Sequence, residues 1–196
     1  MNEPSFINGL ILAGGKSTRM GTDKSLLNYH GKPQRDYLMG ILSSFCRNTY
    51  LSCKEDEGIP KHFNPIPDQF EFDSPLNGII SAFQHDPSSA WLTVPVDMPW
   101  VDENTFKFLI EHRDQKKIAT CFWDSTGKQP EPLLTLWEPH ATTLLSDFYK
   151  KGGVSPREFL ITHNAKMVEA STPNWLRNIN SKQEFNQFRN SLHRKL

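Results

Sequence analysis

The sequence has little cysteine, no excess of either charge and no long apolar run. Its three cysteines, Cys46, Cys53 and Cys121, are odd in number and fit no zinc-ligand spacing. They read as buried thiols of a reducing compartment. Lys and Arg total 22 and Asp and Glu total 22, so no general electrostatic pull toward nucleic acid or an anionic membrane is expected. No stretch approaches the roughly 18 apolar residues of a membrane helix. The opening MNEPSFINGLILAGG lacks a basic leader and a long apolar core, and does not read as a signal peptide. Internal repeats and low-complexity tracts are missing too. The expectation is a soluble cytoplasmic protein with neither nucleic-acid nor membrane partners. The 196 residues predict one domain, 1–196, able to bury a core without staples.

What is present is alternation of strand and helix patterns. GLILA, NTYLSC, AWLTVPV, KIATCFW, PLLTLW and AKMVEA read as strands. DYLMGILSSFC, LNGIISAFQ, DENTFKFLIEH, HATTLLSDFY, SPREFLITH and SKQEFNQFRNSL read as helices. Asp102 is an expected N-cap, Ser155-Pro156 an expected cap and first-turn proline, and Phe185 and Phe188 share one face of the last helix. The Pro- and charge-rich stretch 54–75 reads as loops within the domain. This order predicts an α/β sheet with helices on both faces, whose ligands bind at the carboxyl ends of strands. Three loops therefore draw attention: 13–24, 97–100 and 123–131.

The first of them follows the first strand as AGGKSTRMGTDK. It fits neither standard phosphate template. Five residues separate Gly15 from Gly21, one too many for a Walker A loop, and G-x-G-x-x-G is absent. Its chemistry still suits an anion. Glycines let backbone N–H groups approach closely, Ser17 and Thr18 offer hydroxyls, and Lys16, Arg19 and Lys24 offer positive charge. The competing reading is a solvated glycine turn. In the second loop, VPVDMPW, Asp97 follows an apolar strand between Pro95 and Pro99. A rigidly held carboxylate there suits Mg²⁺, which takes one or two carboxylates plus substrate phosphates. A turn or cap role is the alternative.

Together these loops resemble those of the molybdenum cofactor guanylyltransferases, within the wider nucleotidyltransferases. The family's L-A-G-G-x-S-x-R-M-G-x-D-K-x-L-L is matched at every defined position by residues 12–27. GKP at 31–33, PLNGI at 75–79, PVDMP at 95–99, QPEPLLTL at 129–136 and NINSKQEF at 178–185 follow in family order. The resemblance implies a three-layer α/β/α, Rossmann-like fold with a mostly parallel sheet, of the nucleotide-diphospho-sugar transferase type. It implies transfer of GMP from GTP to molybdopterin cofactor, with Mg²⁺ as cofactor. Molybdoenzyme chaperones or other cofactor-biosynthesis proteins are implied as partners.

Residue roles are implied in the same way. Leu12, Ala13, Gly14 and Gly15 form the nucleotide loop. Arg19 and Lys24 contact phosphates, and Asp97 holds Mg²⁺ and binds the nucleotide. Asp68 is a nucleotide contact or a simple turn residue after Pro67. Asn178 and Asn180 lie toward the pterin, with Asn180 or Ser181 alternatively capping the last helix. Three departures stand out. Ser74 replaces a family glycine and is expected to crowd the loop. Glu131-Pro132 blurs the register of its motif, and Ser181-Lys182 replaces Thr-Pro. A cytidylyltransferase on the same cofactor is the nearest alternative, but Ala13-Gly14-Gly15 and the Asn178/Asn180 pair favour guanine. Other nucleotidyltransferases, acting on sugar phosphates or phospholactate, fit less well. A non-catalytic nucleotide- or cofactor-binding module is the reading from another class.

Overall fold

The structure, a computed structural model, describes residues 6–14, 23–56 and 58–193. Seven strands form one sheet: β1 (Ile7–Leu12), β2 (Thr49–Cys53), β3 (Pro65–Pro67), β4 (Ala90–Pro95), β5 (Ala119–Trp123), β6 (Pro130–Trp137) and β7 (Lys166–Val168). Their spatial order is β3-β2-β1-β4-β6-β5-β7. Strands β1 to β4 run parallel, as do β5 and β7, whereas β6 is antiparallel to both its neighbours. The cause of the reversal is local. Asp124 to Gln129 close β5 and β6 into a hairpin, and hairpin partners must be antiparallel.

Alternation along the strands divides the core into two layers. Ile11, Leu51, Leu92, Val94, Leu134 and Leu136 pack on one face with α1 (Gln34–Leu42) and α3 (Glu103–Glu111). Leu10, Leu12, Trp91, Cys121 and Trp137 pack on the other with α2 (Pro75–His85), α4 (Ala141–Lys150) and α5 (Pro156–Thr162). This is the expected three-layer arrangement. Strand β4 is buried along its whole length, as a central strand between two helical layers must be. Its polar member is satisfied: Trp137 Nε1 donates to Thr93 Oγ1 at 3.1 Å, which donates to the Thr135 carbonyl at 3.1 Å. Past α3, Arg113 makes a two-pronged pair with the buried Glu138, at 2.7 and 2.8 Å. Losing one partner of such a pair costs about 3–5 kcal/mol, because the other charge is left buried alone.

Caps form where the side chains permit. Asp102 and Thr105 make a reciprocal capping box on α3, and Ser155 caps α5 ahead of Pro156. The stretch 54–75 departs from its expected loops. Residues 65–67 add a parallel edge strand beside β2, tolerated despite two prolines because an edge strand pairs on one side only. The last helix, α6 (Lys182–His193), docks through Phe185 and Phe188 on Tyr29, forming a satellite core with Ile179. Among the described residues no helix is long and apolar enough to cross a membrane.

Candidate active site

Parallel strands bring their carboxyl ends to one edge, and the residues that follow them meet there. Ala13 N–H bonds to the Ser52 carbonyl, Val96 N–H to the Leu12 carbonyl and Asp68 N–H to the Cys53 carbonyl. The ends of β1, β2, β3 and β4 thus form one rim. A cleft over this rim is lined by Leu12, Ala13, Gly14, Lys24, Asp68 and Asp97, all picked from the sequence. It is completed by Ser52, Leu133, Pro95 and Val96 and by the start of α2 at Ser74, Pro75 and Gly78. Gly15 and Arg19, with Lys16, Ser17 and Thr18, lie outside the described residues.

Lys24 occupies a short 3₁₀ turn, Lys24–Leu26, capped by the Asp23 side chain. Its ammonium lies 3.2 Å from Asp97 Oδ2 and 2.7 Å from Asn180 Oδ1. The segment carrying Asn180 is itself anchored, because Ile179 N–H donates to the Asp97 carbonyl at 2.8 Å. Glu184 and Ser181 then form a capping box: Glu184 accepts from the Asn180 and Ser181 N–H groups, and Ser181 Oγ accepts from Glu184 N–H. Asn178 parts from Asn180. It lines a second cleft with Trp100, Arg177, Glu184 and Phe188, where the Arg177 guanidinium stacks 4.7 Å above the Trp100 ring.

Charge in the rim is unevenly solvated. Burial lifts the Asp68 carboxyl to about 6; Lys54 opposes the shift and Asp73 adds to it. Asp68 Oδ2 would lie 3.8 Å from a methyl group placed on Gly14, so carboxylate and glycine share one wall. Glu131 is buried at the start of β6, with its Oε1 accepting from Leu133 N–H. Its carboxyl is raised by burial first; the Leu133 N–H and Arg157 oppose this, and Asp97 and Asp124 add to it. The motif that blurred at Glu131 is thereby placed: this carboxylate faces the charge field of Asp97 from the neighbouring strand.

Ser74 does not act as a crowding side chain alone. Its hydroxyl accepts from Leu76 N–H as the cap of α2 and donates to the Val154 carbonyl. Ser52, Leu133 and Glu131 were not singled out as contacts in the sequence. Ser52 and Leu133 line the cleft, but only the pairing of β2 and β6 with their neighbours brings them to it. The thiols offer no nucleophile, since burial pushes Cys46 to about 12, Cys53 to about 11 and Cys121 to about 12.

The donor set suits the divalent metal that the resemblance implies. Lys24 engages Oδ2 of Asp97, and among the described residues no hydrogen bond reaches Oδ1. Among the described residues no three His, Cys, Asp or Glu side chains converge into a protein cage. A single hard oxygen ligand at a strand end fits Mg²⁺, which keeps its waters and takes further ligands from substrate phosphates.

Residues 9–167 match the model of the MobA-like NTP transferase domain. A molybdenum cofactor biosynthesis bifunctional protein of Synechocystis sp. is 31% identical over 182 residues, covering 91% of this chain and 52% of the relative. The chain thus spans about half the length of that relative. A molybdenum cofactor guanylyltransferase of Campylobacter jejuni is 28% identical, covering 95% of this chain and 97% of its own. The fold is similar to that of the molybdopterin-guanine dinucleotide biosynthesis protein A of Archaeoglobus fulgidus. That likeness has a TM-score of 0.78 at 20% identity, over 95% of this chain and 99% of that one. A family model that matches most of the chain settles its membership: the chain belongs to the MobA-like NTP transferase family of nucleotidyltransferase enzymes.

Proposed function

We propose that the chain transfers GMP from GTP to molybdopterin cofactor and releases pyrophosphate, acting in the cytoplasm as a single domain over residues 1–196. The observation that carries this reading is the meeting of Lys24 and Asp97 at the carboxyl edge, between the cleft over β1, β2 and β4 and the side closed by residues 178–180. Relatives named as guanylyltransferases support GTP as the donor.

A phosphate oxygen of the cofactor attacks the α-phosphorus of GTP. The new P–O bond forms as the bond to the β-phosphate bridging oxygen breaks, and its electron pair leaves with pyrophosphate. No protein nucleophile is needed. The work is alignment of two anions and neutralisation of their charge. On this reading Leu12, Ala13, Gly14 and Gly15 hold the nucleoside end, with Asp68 beside them. Lys24 and Arg19 bind the triphosphate and stabilise the leaving group. Asp97 holds Mg²⁺, which when bound supplies further neutralisation of the phosphates. Asn180 and Asn178 face the acceptor side. The product passes to molybdoenzyme chaperones or other cofactor-biosynthesis proteins.

The test is pyrophosphate release from the protein, Mg²⁺, molybdopterin cofactor and each nucleoside triphosphate in turn. Release with GTP is expected. Release with CTP alone would reassign the chain to cytidylyl transfer, and none with any nucleotide would sink the reading.

A further inference from the structure

Tyr29 is 3% exposed, yet among the described residues its hydroxyl has no hydrogen-bond partner. Buried hydroxyls are nearly always paired, because an unpaired one forfeits its bonds to water. The ring is held firmly. Phe185 and Phe188 meet it edge-on, with centroids at 5.1 and 5.3 Å, and Ile179 completes the cluster. The hydroxyl oxygen is thereby fixed in place, so a partner has to come to it.

Its surroundings point to the active site. Ile179, packed in the same cluster, is bonded through its N–H to the Asp97 carbonyl. The next residue, Asn180, accepts from Lys24. The negative charges of Asp97 and Glu184 both add to the burial that raises the Tyr29 pKa, so the hydroxyl lies within the field of both carboxylates. Glu184 already accepts from two backbone N–H groups and from Ser181 Oγ. Asp97 accepts at Oδ2 from Lys24, and that bond is given up, as is the one to Asn180, if Lys24 turns to a triphosphate.

We propose that Tyr29 is a positioning residue for Asp97: as Lys24 swings onto the nucleotide, the Tyr29 hydroxyl takes its place as donor to the Asp97 carboxylate. This rests on the nucleotidyl-transfer reading above. The exchange keeps the carboxylate oriented without a second positive charge, leaving its other oxygen for the metal. A neutral donor suits this task, because a cation there would compete with Mg²⁺.

Tyr29→Phe removes one oxygen and keeps the ring, so the variant folds. Two effects are expected together. Without ligand, its Tm is equal to or above that of the parent, since an unpaired group is lost. With Mg²⁺ and GTP, its Kd for the nucleotide by calorimetry rises about three- to tenfold, the worth of one neutral hydrogen bond. In an Asp97→Ala background the same change costs nothing further, as a coupled pair requires. Unchanged GTP affinity, a lower ligand-free Tm, or additive effects in the double variant would overturn the assignment. Parent protein that binds no Mg²⁺-nucleotide would instead overturn the transferase reading, and this inference with it.

Discussion

Lys24 and Asp97, 73 residues apart in the chain, lie 3.2 Å from each other with side chains only 18% and 23% exposed. Each is the other's counter-ion at the place where a triphosphate and its metal would need both. The pair keeps two charges oriented in a partly dry site and is available to be exchanged for ligand contacts.

Removing the carboxylate tests one half of that exchange. Asp97→Ala is expected to lower turnover by a factor of about 10² or more, as when a metal-held charge clamp is lost. Steady-state pyrophosphate release reads the change, and near-normal turnover would make Asp97 a structural residue.

Removing the cation tests the other half. For Lys24→Ala we expect GTP affinity to fall about tenfold or more, the scale of one charge-assisted contact, while Tm moves little. Calorimetry and thermal melts measured side by side decide the matter. A large drop in Tm with unchanged affinity contradicts the assignment.

Asp68 gives a pH signature. Its carboxyl is raised from 3.8 to about 6 in the fold, so the folded chain binds this proton more tightly than the unfolded chain. The protonated fold is favoured at low pH, and that advantage is lost as pH rises from about 4 through 6. Asp68→Asn should therefore raise Tm at pH 8 relative to the parent, with the gain shrinking toward pH 4. A difference in Tm that is the same at every pH would show that the buried charge is not its cause.

Gly78 packs α2 closely against β2 at Ser52. A methyl group there would overlap Ser52 Oγ, itself buried beneath the cleft. Gly78→Ala is expected to cost about 1–3 kcal/mol, the usual range for overpacking, and adding Ser52→Ala should recover part of it. Denaturant melts of the two single variants and the double variant provide the comparison; a double variant no better than Gly78→Ala would place the strain elsewhere.

The placement of the rim was legible because chemistry and topology agree. Lys24 follows β1, Asp97 follows β4, and parallel neighbours must deliver both to one edge. Helix caps at Asp102 and Ser155 were legible for a similarly local reason. Strand β3 was hidden by its prolines, which argue for loops unless the strand lies at an edge. Leu133 and Ser52 were hidden because strand register decides which residue faces the cleft. The parting of Asn178 from Asn180 depends on Ile179, whose N–H is tied to Asp97 and whose side chain is buried. Nothing in the sequence marks Tyr29, since only packing shows that its hydroxyl has no partner among the described residues.

The contact between Lys24 and Asn180 spans 156 residues, and this has a bearing on how the protein is made. At about 5–20 residues per second, the lysine leaves the peptidyl-transfer centre roughly 8–30 s before the asparagine that receives its hydrogen bond. The nucleotide loop thus exists in the growing chain well before its latch, and the site is assembled only once Asn180 has been made.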